Sequence, residues 1–237
     1  LTINAVKNLF PEFEIHLKRR MKQSGNEQYS KVYNKKEKVI IKESDLKFLI
    51  DFETYLDVGL FLDHRPIRKI ISHEIQKDQK LLNLFCYTCS ISVYAAKSGA
   101  LTTNVDLNNN YLNWGKENFE INNINSNNHD FINESATEFI KNTSDTKYDI
   151  IFLDPPTFSN SKKMDSTFDV FRDQVDLINN TIKHLKKEGT LYFSNNYRNF
   201  KIDKEICNKY NVEDITFKTI PEDFKDKKIH KCFKITL

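Results

Sequence analysis

Apolar and polar residues change rhythm along this 237-residue chain near residue 53. Before it, Ile3, Ala5, Val6 and Leu9 fall at helical spacing, and Phe13-Glu14-Ile15-His16-Leu17 alternates as a half-buried strand does. A polar, basic loop runs from Lys18 to Lys31. Lys38 to Lys42 and Leu46 to Ile50 then flank Glu43-Ser44-Asp45, the pattern of a hairpin. Residues 1–52 are therefore expected to form a small helix and hairpin unit. From residue 53 onward, short apolar runs alternate with stretches of helical period. Strands are predicted at Leu81–Phe85, Leu101–Val105, Phe131–Ile132, Asp149–Leu153 and Thr190–Ser194. Helices are predicted at His64–Glu74, Ser90–Ser98, Tyr111–Asn122, Ala136–Lys141 and Asp169–Lys187, the last stopped by Glu188-Gly189. Asp214–Phe217 and Cys232–Thr236 fit an antiparallel pair at a sheet edge. Such alternation predicts an α/β fold with a doubly wound parallel sheet over residues 53–237.

Composition narrows the picture only slightly. Hydrophobic residues make up 39% of the chain, enough for one sizeable core with a small appendage. The net charge of +3, from 36 basic and 33 acidic side chains, does not announce a nucleic-acid partner; only local clusters such as Lys18-Arg19-Arg20 and Lys22 could. No apolar run approaches the roughly 20 residues of a membrane span. The first residues lack a signal peptide's basic head and cleavage site, so a cytoplasmic location is expected. The chain begins at Leu1, as a fragment or processed form of something longer would. Its four cysteines are too few and too irregular for a disulfide framework. Cys86-Tyr87-Thr88-Cys89 is formally a C-x-x-C, but no second ligand pair completes a zinc site, and no metal is expected. A thioredoxin-like dithiol is the other reading of that pair.

Chemistry concentrates at strand ends. Ile150-Ile-Phe-Leu153 is the fully apolar run of a buried parallel strand, and it stops at Asp154-Pro155-Pro156 with Phe158 two residues on. The prolines end hydrogen bonding where the strand emerges, and ligands of open α/β sheets sit outside those carboxyl ends. A carboxylate, a free carbonyl and a flat aromatic there can hold a planar base; an ordinary Asp-Pro turn is the plainer alternative. Leu84–Ser90 turns a strand into a helix, where backbone must approach a ligand. Asp106 ends the next strand about twenty residues later, placed to accept two ribose hydroxyls or else to cap the following helix. The absence of G-x-G-x-x-G disfavours a dinucleotide.

Four strings occur in order: Tyr55–Arg65 (YLDVGLFLDHR), Leu82–Thr88 (LNLFCYT), Asp154–Lys162 (DPPTFSNSK) and Phe193–Asn196 (FSNN). On these residues the chain, from Leu1 to Leu237 with a patchy stretch before Leu46, resembles the C-terminal, guanine-N7 methyltransferase half of the bacterial bifunctional 23S rRNA methyltransferases, the RlmKL type. The resemblance implies a class I S-adenosylmethionine (SAM)-dependent methyltransferase, Rossmann-like, with a seven-stranded sheet whose last strand is antiparallel. It further implies SAM as cofactor, 23S rRNA as substrate, and a preceding RNA-binding and guanine-N2 methyltransferase region in the full polypeptide. Cofactor contacts carried over are Asp63, Arg65, Asn83, Phe85, Tyr87, Thr88, Ser90, Asp106, Leu107, Ser135, Ala136 and Asp154. Three positions depart from the pattern. Cys89 replaces a glycine, Ser135 replaces the acid that meets the adenine amino group, and Asn199 replaces another glycine.

Guanine N7 has an in-plane lone pair and no proton to lose, so transfer needs positioning more than acid–base chemistry. Asp154, Pro155, Pro156 and Phe158 are the expected catalytic group, with Phe158 stacking on an extruded base. Asp63 and Arg65 are expected over the methionine end or the target, or as a local ion pair at a helix start. Lys162, Lys163, Arg198, Lys201 and the loop Lys18 to Lys22 are expected to meet RNA phosphates. Cytosine-C5 chemistry would need a cysteine where Thr157 or Ser194-Asn195-Asn196 stands. A non-catalytic RNA-binding module, a methyltransferase for another RNA base and a small-molecule methyltransferase are the other readings.

Overall fold

The computed structural model describes residues 2–17, 38–55, 57–142, 146–159 and 167–237. In chain order the elements are α1 (Thr2–Leu9), β1 (Val39–Glu43), β2 (Leu46–Ile50), α2 (Arg65–Glu74), β3 (Lys80–Leu84), α3 (Ser90–Lys97), β4 (Leu101–Asp106), α4 (Asn109–Glu120) and β5 (Asp130–Asn133). There follow α5 (Ala136–Phe139), β6 (Tyr148–Leu153), β7 (Phe158–Ser159), β8 (Phe168–Asp169), α6 (Val170–Ile182), β9 (Leu185–Asn195), α7 (Lys204–Lys209), β10 (Asn211–Asp214), α8 (Thr216–Thr219) and β11 (Lys231–Thr236). Seven strands form one sheet in the order β10-β11-β9-β6-β3-β4-β5. β5, β4, β3, β6 and β9 run parallel, while β11, the last strand, is antiparallel to both neighbours. This is the doubly wound sheet with one reversed strand that the pattern and the resemblance predict.

The period of two along the strands divides the core. Leu82, Leu84, Ile151, Leu153, Leu191 and Phe193 face α6 and α7, whereas Leu81, Ile150, Phe152 and Tyr192 face α2 and α3. Each such side chain, fully buried, contributes about 1.5–3 kcal/mol. A third cluster forms where the β1/β2 hairpin lies on α4: Leu46, Phe48 and Ile50 pack with Val93, Leu112, Phe119, Cys86 and Cys89. The buried Arg68 guanidinium meets both oxygens of Glu43 at 2.7 Å, fastening the hairpin to α2.

Two expected boundaries are corrected. The helix predicted to Lys187 ends at Ile182, and Glu188-Gly189 lies inside β9, not at a cap. Gly189 sits at a register shift between β6 and β9, and a Cβ there would stand 3.0 Å from the Asp149 carbonyl oxygen. The glycine serves a bulge with close backbone approach. The edge strand expected at Asp214–Phe217 lies at 211–214, because Asp214 accepts the Thr216 amide at 2.9 Å and turns the chain into α8.

Candidate active site

Leu84 pairs with Val105 on one side and Leu153 on the other. Phe85, Asp106 and Asp154 therefore leave three adjacent strands at one level of the carboxyl rim. The sheet closes there with a long 3.5 Å contact from the Asp154 amide to the Leu84 carbonyl, and Pro155 has no amide to continue it.

The turn after β3 is built from unusual backbone. Phe85, Tyr87 and Cys89 have φ of 57°, 50° and 60°, left-handed values costing about 1–2 kcal/mol each for residues with a Cβ. Surrounding contacts hold them. The Cys86 amide donates to Val105 O (3.1 Å), the Tyr87 amide to Asp106 (2.9 Å), and the Cys89 amide to Cys86 O (2.8 Å). Thr88 Oγ1 donates to Gly59 O at 2.7 Å, Tyr87 Oη to Asp57 O at 2.9 Å, and Asn118 Nδ2 to Thr88 O at 3.0 Å. Asp57 and Gly59 thus brace this turn. Cys89, where the family pattern has glycine, sends its fully buried thiol toward Gly115, 3.6 Å from the Cys86 sulfur. Ser90 opens α3 at the turn's exit.

Asp106 accepts the Tyr87 amide on one oxygen and the Asn108 amide on the other, at 2.9 and 2.8 Å. Each oxygen keeps a lone pair, so the carboxylate can still accept two hydroxyls. Burial pushes its pKa up to about 6, against the pull of those two amides. It does not cap α4; Asn108 does. Leu107 follows it, half-buried. Beside β4, the buried Ser135 hydroxyl turns to Thr137 at 2.8 Å, and Ala136 lies in the core. Asn83, one residue below the rim, ties β3 to α3 through Ser92 at 2.8 Å.

Asp63 and Arg65 do not pair with one another. Arg65 pairs with Asp223, and Asp63 accepts a hydrogen bond from His230 Nδ1 at 2.9 Å. Both reach the segment before β11, over 150 residues away, instead of forming a local helix-start pair. Burial works to raise the Asp63 pKa, but the His230 hydrogen bond and the two histidines bring it below the usual carboxylate range. Between them lies His64, buried and 3.8 Å from Asp154. Sequence reading passed over His64 and His230; only the place of His64 inside the string Asp63-His64-Arg65 marked it.

On the open side, Pro155 is buried, Pro156 is exposed, and Phe158 stands 56% exposed on β7, held by pairing with β8. Thr157 hydrogen-bonds Asn196 across the rim. Two further exposed rings, Phe171 and Tyr197, meet edge-on at 6.2 Å and were not marked by any motif. Lys162, Lys163 and Lys18 to Lys22 lie outside the described residues. Arg198 is exposed and paired with Asp226, and Lys201 is exposed. Both border a groove of about 810 Å³ that Lys228 and Lys231 also line, floored by Phe200 and Phe233. Among the described residues no helix is long and apolar enough to cross a membrane.

Residues 14–203 match the model of the S-adenosylmethionine-dependent methyltransferase family. Ribosomal RNA large subunit methyltransferase K/L of Legionella pneumophila (strain Paris) is 46% identical over 230 residues, covering 97% of this chain and 32% of that protein. The K/L enzyme of Psychrobacter cryohalolentis is 48% identical over 229 residues, covering 94% of this chain and 29% of its own length. The chain therefore spans about a third of the length of these relatives. Among solved structures, SMU.776 complexed with SAH superposes with a TM-score of 0.72 at 25% identity, over 87% of this chain and 58% of that one. A SAM-dependent methyltransferase from Agrobacterium tumefaciens gives 0.70 at 20% identity, over 86% and 72%. The chain belongs to the S-adenosylmethionine-dependent methyltransferase family, and it is similar to about a third of the length of the K/L ribosomal RNA enzymes.

Proposed function

We propose that this chain methylates N7 of a guanine in 23S rRNA. One observation carries the reading: Phe85, Asp106 and Asp154 emerge at one level of the rim, and the exposed ring of Phe158 follows four residues after Asp154. These residues fit the cofactor, since Asp106 keeps two acceptor sites for a ribose diol, and the 85–89 turn buries the side chains of Cys86, Thr88 and Cys89. Phe85, Tyr87, Thr88 and Ser90 would shape that turn, Asn83 would support it, and Leu107, Ser135 and Ala136 would border the adenine. Bound there, SAM supplies an electrophilic methyl group.

The chain's own work is positional. Asp154 and the Pro155 carbonyl orient the base edge, Pro156 keeps the loop extended, and Phe158 covers the base after its extrusion. Because N7 carries a lone pair without a proton, no side chain has to act as a base. Asp63 and Arg65 hold the segment before β11 against the rim. Arg198 and Lys201, with Lys228 and Lys231, give the flanking RNA a basic groove. Cytosine-C5 chemistry lacks its nucleophile at the rim: those positions carry Thr157 and Ser194, Cys86, Cys89 and Cys232 are buried, and the exposed Cys207 sits on α7. The test is transfer of labelled methyl from SAM to 23S rRNA that lacks the modification, with mapping of the product nucleotide. A 7-methylguanine absent with D154A supports the reading. SAM binding with methylation of a different base redirects it, and no binding near millimolar SAM leaves an RNA-binding module.

A further inference from the structure

The rim has a buried histidine that no motif assigned. His64 stands between two carboxylates: Nδ1 is 3.8 Å from Asp154 Oδ2, and Nε2 is 3.8 Å from Asp63 Oδ2 and 3.4 Å from the Ser194 hydroxyl. Its ring is fixed on its faces and edges by Phe152 at 5.9 Å and His230 at 5.0 Å, both edge-on. His230 in turn is held by Asp63 and, through Nε2, by Thr219 Oγ1, each at 2.9 Å. A line of polar side chains thus runs from α8 through His230, Asp63 and His64 to the first residue of the Asp-Pro-Pro loop. It is hydrogen-bonded as far as Asp63, with gaps of 3.8 Å on either side of His64.

We propose, resting on the reading that Asp154 works at this rim, that His64 is a positioning residue which donates from Nδ1 to Asp154 and fixes the orientation of its carboxylate. Burial drives the His64 pKa down, opposed by Asp154 and Asp63 and assisted by His230 and Arg68, so the ring is neutral and carries one N–H. Placed on Nε2, that proton would leave the Nδ1 lone pair facing a carboxylate, two acceptors opposed. Nε2 faces the Asp63 carboxylate at the same 3.8 Å, but that oxygen already takes the His230 proton, and Ser194 can donate to Nε2. A proton on Nδ1 therefore gives Asp154 the donor that Asp63 already has. The distance of 3.8 Å exceeds a made hydrogen bond by about 1 Å. A small rotation of Asp154 closes it, in keeping with catalytic contacts that tighten only when the site fills. Asp63, His64 and His230 also lie close enough to suggest a metal triad. The Asp63 carboxylate can only accept, so His230 Nδ1 carries the proton between them and has no lone pair for an ion.

Three variants and a ring spectrum test this. H64A should lower kcat about 30- to 100-fold, the penalty of a misplaced catalytic group, with KM for SAM and RNA within about 3-fold. H64N, whose amide nitrogen can reach the place of Nδ1, should recover to within about tenfold of wild type. In the 15N-histidine long-range spectrum of the purified chain, His64 should be neutral and protonated at Nδ1, and D154N should shift it. A proton found on Nε2, or a His64 spectrum indifferent to D154N, overturns the proposal. So does H64N falling as far as H64A while both retain the wild-type melting temperature. If wild-type protein methylates no rRNA, the functional reading fails, and the ring spectrum still decides the His64–Asp154 contact.

Discussion

Cys89 and Gly115 should be energetically coupled, because each occupies the space the other leaves. A Cβ added at Gly115 would lie 2.5 Å from Cys89 Sγ and 3.1 Å from Cys89 Cβ, with Phe131 at 3.6 Å on the far side. The sulfur cannot retreat, since it is fully buried and already 3.6 Å from Cys86 Sγ. Overpacking of this kind costs about 1–3 kcal/mol. Against it, glycine to alanine inside a helix gains about 1 kcal/mol. G115A alone should therefore range from neutral to about 2 kcal/mol destabilising. In the C89G background the clash is gone, and G115A should stabilise by about 1 kcal/mol. The helix gain cancels in the cycle, leaving a coupling of about 1–3 kcal/mol that belongs to the Cys89–Gly115 contact. Urea unfolding of the four proteins measures it. Equal effects of G115A in both backgrounds would refute the packing argument. The same geometry predicts that C89G leaves SAH affinity within about 2-fold, because the thiol lies beneath the turn and not in front of it.

Asp106 should make cofactor-product binding pH-dependent. Its folded pKa of about 6 lies above the ordinary 3.8, so its contribution to stability is full below the unfolded value and lost as pH rises through about 6. That loss amounts to about 3 kcal/mol in the unliganded protein. Ribose hydroxyls favour the carboxylate, so SAH affinity by calorimetry should climb by up to about tenfold from about pH 5 to pH 7 and go flat in D106N; a flat wild-type profile would count against the ribose role. R68A leaves Glu43 buried without its partner and should cost about 3–5 kcal/mol in urea unfolding, with less than 1 kcal/mol arguing that the hairpin is loosely held. Combined R198A and K201A should reduce the slope of log K against log salt for single-stranded rRNA by about 0.7 per lost contact. An unchanged slope would remove them from the RNA path.

Much of this protein is local and was therefore visible along the chain. The apolar runs at 81–84 and 150–153 specify buried parallel strands because each residue's neighbours two positions away face the same layer. Asp154-Pro155-Pro156 must end its strand, since proline has no amide to pair. Asp106 and the 85–90 turn were legible from their distance along the chain, as one crossover helix separates successive strand ends. What the chain could not announce depends on segments meeting. Lys186-Lys187-Glu188-Gly189 looks like a helix stop, and only pairing with β6 makes it a bulged strand. Three non-glycine residues adopt left-handed backbone in one turn because contacts from 57–59, 105–106 and 118 outweigh their local cost. Cys89 is tolerated in place of glycine only because residue 115 has no side chain. His64 and His230 stand 166 positions apart in sequence and 5.0 Å apart between ring centres, an adjacency created by β11 running antiparallel beside β9. The order of residues determined which strands form and where they end. Sheet closure decided which side chains share the rim, because that is a property of strand order and register across the whole domain.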